Sequence, residues 1–260
     1  MKQLLFIVSL LFSTLAWSAP KSELWPYWNQ SNEANSEQVS HQSWQQFLGS
    51  YLVKQGQNTL VRYQAVTTTD KSKLKQYIKQ LEKVNPLEYS KAEQYAYWVN
   101  LYNAVTVDLI LDTYPVKSIT KLGGLFSFGP WGDDVVSVNG KSLTLNDIEH
   151  RILRPIWQDP RTHYAVNCAS LGCPNLQPKA FTADNTETQL EQAASEFVNS
   201  EKGVQIKSNK LQLSSIYEWF AVDFGNREQL IKHLNQYRTK PVPSANKISY
   251  DYDWSLNQAN

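Results

Sequence analysis

The sequence predicts an α+β fold, a mainly helical single domain with a small antiparallel β-sheet and hairpins. Three observations predict it. Several windows repeat apolar residues at three- and four-residue intervals behind a capping residue, which is the helical period. Two short β-prone pairs flank turn residues, Val135 to Leu143 around Asn139-Gly140 and Val204 to Leu213 around Ser208-Asn209. A chain of 260 residues with 42% hydrophobic content has enough apolar mass for one sizeable core.

Residues 1–18 read as a secretory signal peptide. Lys2 supplies the charged start, Leu4 to Leu15 the apolar stretch, and Ala16-Trp17-Ser18 a small-x-small cleavage site. The expectation is export, with a periplasmic or secreted product after cleavage near Ser18/Ala19. Residues 19–40 are polar without an apolar period and read as a flexible leader, so the globular domain is expected over residues 41–260. No later run reaches the roughly 18 apolar residues of a membrane span. Lys+Arg number 25 against 24 Asp+Glu, and without Lys2 the balance is even. That charge recommends no nucleic acid and no anionic membrane surface as a partner. Nine Trp and fourteen Tyr suit a core or a cleft for a small molecule, peptide or glycan.

Within the domain, Trp44, Phe47, Leu48, Tyr51 and Leu52 define a helix from His41 to near Gly56, and Asn58 to Ala65 is β-prone. Asp70 opens a second helix, stopped at Asn85-Pro86. Ser90 with Glu93 makes a capping box for a third, whose stripe of Tyr95, Val99, Tyr102, Thr106, Leu109 and Ile110 ends before Pro115. Asn100 and Asn103 lie on a neighbouring face of that helix. If buried they need partners, and they either orient a catalytic imidazole or a substrate amide, or brace loops through backbone hydrogen bonds. Residues 117–134 are rich in turn chemistry and suit a loop over a cleft.

Thr144 and Asp147 open a fourth helix in which Leu145, Ile148, Glu149 and Ile152 share a face, ending at Arg154 because Pro155 follows. Glu149 thus sits in an apolar stripe and needs a cation or a raised pKa, with His163, His150, Arg151 and Arg154 as candidate partners. A β-prone run, His163 to Asn167, then leads into a small-residue turn that exposes Cys168. A helix opening after Cys168 would favour its thiolate. Further on, Glu187 to Val198, Ser215 to Phe220 and a stretch through Leu230 and Leu234 are helical scaffold. His41 and His233 fall on helix surfaces, and Lys247 to Trp254 alternates like an edge strand.

Tyr97-Trp98-Val99-Asn100-Leu101-Tyr102-Asn103-Ala104, Leu145-Asn146-Asp147-Ile148-Glu149-His150 and His163-Tyr164-Ala165-Val166-Asn167-Cys168-Ala169-Ser170-Leu171-Gly172-Cys173-Pro174 resemble motifs of the family called domain of unknown function 547. The terminal Tyr252-Asp253-Trp254-Ser255-Leu256-Asn257 is similar to that family too. The resemblance implies little about activity. It does imply that the cysteine at 168 is kept where that at 173 is replaceable, which gives Cys168 a role beyond a disulfide.

Two functions follow from these residues. The first is a cysteine-dependent hydrolase or acyl transferase on amide or ester bonds, with papain- or transglutaminase-like logic. Cys168 is the nucleophile, His163 the base, Glu149 or Asn100 the orienter, and His150 the alternative base. Asn103 and Asn167 join Asn100 as candidate substrate-binding or orienting groups. On a flat strand His163 and Cys168 would point to opposite faces, so this reading requires a bend. The second is a non-enzymatic binding module in which a Cys168–Cys173 disulfide pins the loop. No cofactor is called for, and no metal, since no C-x-x-C or H-E-x-x-H pair is present.

Overall fold

The computed structural model describes residues 20–124, 128–207, 210–242 and 247–259. The signal segment, its cleavage site and the Ser208-Asn209 turn lie outside the described residues. Helix α3, Lys91–Thr113, is the central post, with 17 of its 23 residues buried. A helix covered on all sides needs no amphipathic pattern, which is why its single predicted stripe understates its burial. Ser90 accepts the Glu93 amide at 3.3 Å. The return half of the capping box is replaced: Glu93 Oε1 accepts the Val39 amide at 2.8 Å and ties the preceding segment to the helix.

That preceding segment departs from the expected flexible leader. Pro26–Trp28 form a 3-10 turn, Trp28 is 0% exposed, and its ring meets Trp98 edge-on at 5.1 Å. Trp25, Tyr27 and Trp28 supply enough apolar area to dock the segment without any period, a contribution that a polar average over twenty residues conceals.

Helix α1, Gln42–Tyr51, ends earlier than Gly56. The chain turns instead into a hairpin, β1 (Leu52–Gln55) with β2 (Asn58–Val61), around Gly56 at φ +58°. Helix α2, Thr68–Leu81, begins two residues before Asp70, because the Thr67 hydroxyl accepts the Asp70 amide and serves as the cap. Strands β3 (Val136–Val138) and β4 (Lys141–Leu143) form the predicted hairpin, with Asn139 and Gly140 both at positive φ.

The fourth helix holds the main surprise. Thr144 and Asp147 do cap it, with Thr144 N on Asp147 Oδ2 at 3.0 Å and Asp147 N on Thr144 Oγ1 at 3.0 Å. Residues Asp147–Leu153 then wind as a π-helix, and the chain continues through Pro155 as α4, Arg154–Trp157. The proline does not end it. In the wider turn the Arg154 amide reaches Glu149 O, and the carbonyls of His150 and Arg151 accept the amides of Glu23 and Trp25 at 3.0 Å each. The docked N-terminal segment thereby takes up carbonyls that the π winding and the missing proline N–H leave without an intrahelical donor. The widened turn also buries Glu149 and His150 together, two adjacent residues facing one interior.

The remainder is α5 (Thr162–Ala165), α6 (Thr186–Asn199), β5 (Val204–Lys207), β6 (Lys210–Ser214), α7 (Ile216–Trp219), α8 (Ala221–Phe224), α9 (Arg227–Tyr237) and β7 (Lys247–Asp251). Strands β5 and β6 are antiparallel, and β7 joins β6 in parallel with Leu211 opposite Ile248. One apolar cluster surrounds α3, and a second gathers Tyr164, Phe197, Tyr217, Phe224 and Leu234. His41 and His233 are not surface residues. His41 is buried against the Tyr77 hydroxyl at 2.6 Å, and half-buried His233 meets that of Tyr164 at 2.8 Å.

Candidate active site

Residues 162–165 form a helical turn rather than the expected strand. Asp159-Pro160 starts it, with the Arg161 amide on Asp159 Oδ1 at 2.8 Å and the Thr162 amide on Asp159 O at 3.0 Å. Val166 is extended, so the bend that the cysteine reading requires lies between His163 and Cys168. No helix opens after Cys168. Ala169 takes φ +56°, and the amides around it are engaged: Ala169 on Asn167 Oδ1, Leu171 on Ser255 O, Gly172 on Asp253 O and Cys173 on Ser170 O. The Cys168 amide itself points at Cys173 Sγ, 3.0 Å away.

Cys168 is half-buried and Cys173 buried, and both are free thiols in this structure, with their sulfurs 3.0 Å apart. Tyr252 Oη lies 2.9 Å from Cys168 Sγ and Ser170 Oγ 3.3 Å from it. Burial alone would raise the Cys168 pKa. The Cys173, Ser170 and Tyr252 donors outweigh it and hold the thiol below its ordinary value. Burial and the neighbouring Cys168 push the Cys173 thiol well up, and Tyr252 likewise keeps its proton. Within this pair the thiolate belongs to Cys168.

A second cluster adjoins the first. Glu149 Oε2 accepts the Tyr102 hydroxyl at 2.9 Å, and Oε1 stands 3.8 Å from His163 Nδ1 and 3.9 Å from His150 Nδ1. No arginine reaches Glu149. Arg151 pairs with Asp147, and Arg154 Nε donates to Asp223 Oδ2 at 2.6 Å. Arg154 Nη1 also donates to His150 Nδ1 at 2.9 Å, so the neutral His150 ring carries its proton on Nε2. Burial pushes the His150 pKa down to about 4, and a ring so disposed donates a hydrogen bond at neutral pH instead of acting as the alternative base.

His163 is 3% exposed, stacked on Phe220 at 4.2 Å, and its Nε2 meets Asp223 Oδ2 at 2.6 Å. Glu149 stands 3.8 Å away and Asn100 bonds Phe181, so the group that hydrogen-bonds the His163 ring is Asp223. Nε2–H donates to it, which leaves the His163 Nδ1 lone pair without a hydrogen-bond partner. Burial opposes ionisation of Asp223, yet the hydrogen bonds from His163 and Arg154 hold its pKa down at about 2.

The three asparagines serve the backbone. Asn100 bonds both polar groups of Phe181, and Asn103 bonds Ala165 O at 2.9 Å and the Asn167 amide at 2.8 Å. Asn167 holds Pro174 O at 2.7 Å and the Ala169 amide at 2.9 Å. Asn103 fixes the cysteine segment to α3, Asn167 braces that loop from within, and Asn100 ties α3 to Phe181. Asn103→Ala leaves a buried N–H and C=O unpaired and is expected to cost about 1–3 kcal/mol, read as a lower urea midpoint with an unchanged slope.

Cys168, Cys173, Glu149, His150 and His163 line one cavity of about 490 Å³, whereas Asn100, Asn103 and Asn167 do not. Its other wall is aromatic. Phe128, Trp131, Trp254, Trp219 and Tyr252 follow one another at centroid distances of 6.2, 5.7, 5.5 and 4.8 Å. Phe128 and Trp131 come from the loop predicted to cover a cleft. Sequence reasoning missed Asp223, Tyr252, Ser170, Asn146 and this wall. The terminal Tyr-Asp-Trp motif was the one signal pointing to Tyr252 and Trp254. Among the described residues no group of three or more His, Cys, Asp or Glu is arranged to hold a metal ion, and no helix is long and apolar enough to cross a membrane.

Asp223, Trp219, Tyr252 and Trp254 complete the site from the C-terminal part of the chain. No curated protein and no solved structure matches the chain significantly. The family comparison covers the other part of the site: residues 86–198, which hold α3, the π-helix, His163 and both cysteines, match the family described as "Protein of unknown function, DUF547".

Proposed function

We propose that this is a cysteine-dependent hydrolase or acyl transferase of amide or ester bonds, acting after export. One observation carries the reading: Cys168, whose sulfur faces three donors, shares a cavity with a histidine that has one nitrogen fixed by a carboxylate and the other unpartnered. Cys168 Sγ attacks the carbonyl carbon, and the thiol proton passes to His163 Nδ1. The tetrahedral oxyanion collapses, and the leaving amine or alcohol takes that proton. Water, or an acceptor amine or alcohol, then attacks the thioester while His163 Nδ1 receives its proton, and Cys168 is restored. With the amides of Cys168 and Ala169 engaged, side chains meet the oxyanion, and His150 and Asn146, both among the residues lining the cavity, are the donors assigned to it in this reading.

The same engaged amides favour a second reading, a binding module for a small ligand. The pH dependence of iodoacetamide labelling, read by peptide mapping on reduced protein, tests the first. Cys168 is expected to label with a midpoint clearly below the ~8.5 of a free thiol, while Cys173 stays unlabelled. Tyr252→Phe is expected to raise that midpoint. A Cys168 that titrates at or above the free value, or labels no faster than Cys173, overturns the nucleophile and leaves the binding module.

A further inference from the structure

We infer that the acyl donor is uncharged and carries a bulky apolar acyl group, an inference that rests on the acyl-transfer reading. Tyr252 makes the connection. Its hydroxyl lies 2.9 Å from Cys168 Sγ, and its ring sits 4.6 Å from Trp254 and 4.8 Å from Trp219. An acyl group on Cys168 therefore has these rings as immediate neighbours. Trp219 and Trp254 stack at 25°, and the wall continues through Trp131 to Phe128, which is 40% exposed and marks the solvent end. The volume of about 490 Å³ falls in the range of sites that enclose most of a small ligand.

Charge excludes the alternatives. Among the described residues no lysine or arginine lines the cavity, and the Arg154 guanidinium beside His150 is buried and bound to Asp223. An anionic donor would be desolvated there without a compensating cation. A cationic donor would have to draw Glu149 from the Tyr102 hydroxyl and the two imidazoles around it. What remains is an apolar acyl chain or aromatic acyl group on a neutral ester, thioester or amide.

Two assays test this. With p-nitrophenyl esters, octanoate is expected to exceed acetate in kcat/KM by about tenfold or more, as added methylenes in an apolar pocket do. Trp219→Ala is expected to shrink that ratio, and Trp219→Phe to keep most of it. By calorimetry on the wild-type protein, octanamide is expected to bind at least about tenfold more tightly than octanoate at pH near 8, and more tightly than acetamide. Preference for acetate, equal binding of octanoate, or tighter binding of octanoylcholine overturns the inference. Octanamide binding without turnover of any ester leaves the pocket's chemistry standing and removes the acyl-transfer reading instead.

Discussion

Lowering the pH from about 7.5 to about 5 is expected to cost this fold several kcal/mol, because three histidines are neutral inside it. Burial pushes His41, His150 and His233 each down to about 4. In the unfolded chain the same rings take up protons near the ordinary value of about 6.5. Below that value the unfolded state binds more protons than the native one, and stability falls as pH falls. The loss runs at up to roughly 1.4 kcal/mol per pH unit per ring and levels off near the native pKa of about 4. Each ring thus contributes on the order of 2 kcal/mol at about pH 5. The check is the urea midpoint across this interval at constant ionic strength. A flat midpoint refutes the expectation. His41→Gln, which replaces a ring whose Nε2 has no partner, should remove about a third of the slope.

Arg154→Ala is expected to be the most damaging single substitution near the site, at about 3–5 kcal/mol. Arg154 is 4% exposed and serves three acceptors, Asp223, His150 Nδ1 and Pro20 O. Truncation leaves Asp223 facing His163 alone. The comparison that isolates the pair is the double variant Arg154→Met with Asp223→Leu, which should lose less than Arg154→Ala, since replacing both charges leaves neither one uncompensated. Should the double variant cost as much as the two single changes combined, the pair is uncoupled and Arg154 acts through packing alone. A second readout follows from the Arg154 guanidinium helping to keep His150 neutral. Without it the acid-induced loss contributed by this ring should be smaller and level off at a higher pH, since the ring protonates more readily in the native state.

Much of the local architecture was legible because it depends on neighbouring residues. Ser90 before α3, Asn139-Gly140 in its hairpin and the Thr144–Asp147 cap are decided within a few positions. The elements that differed are decided at a distance. His163 to Asn167 has β-prone side chains, but Asp159-Pro160 and the loop bonded to Asn103 coil its first part. Pro155 reads as a stop until the π winding and the amides of Glu23 and Trp25 are in place. For the site, the types of Cys168, His163, Glu149 and His150 were enough to single them out. Asp223 was invisible because nothing local marks a carboxylate on a four-residue helix as the partner of a histidine sixty positions earlier.

The docked Pro20–Trp28 segment does more than cover apolar surface. Its amides hold the carbonyls of the π-helix, its Pro20 carbonyl holds Arg154, and Pro20 itself lines the cavity. A π turn is an uncommon winding that persists when its surroundings supply what it lacks. This splint and the helix it braces therefore form one cooperative unit, with a shared opening free energy. Lifting of the splint would therefore disturb Glu149, His150 and Arg154 together, on one side of the cavity, while α3 and the cysteine loop keep their own supports.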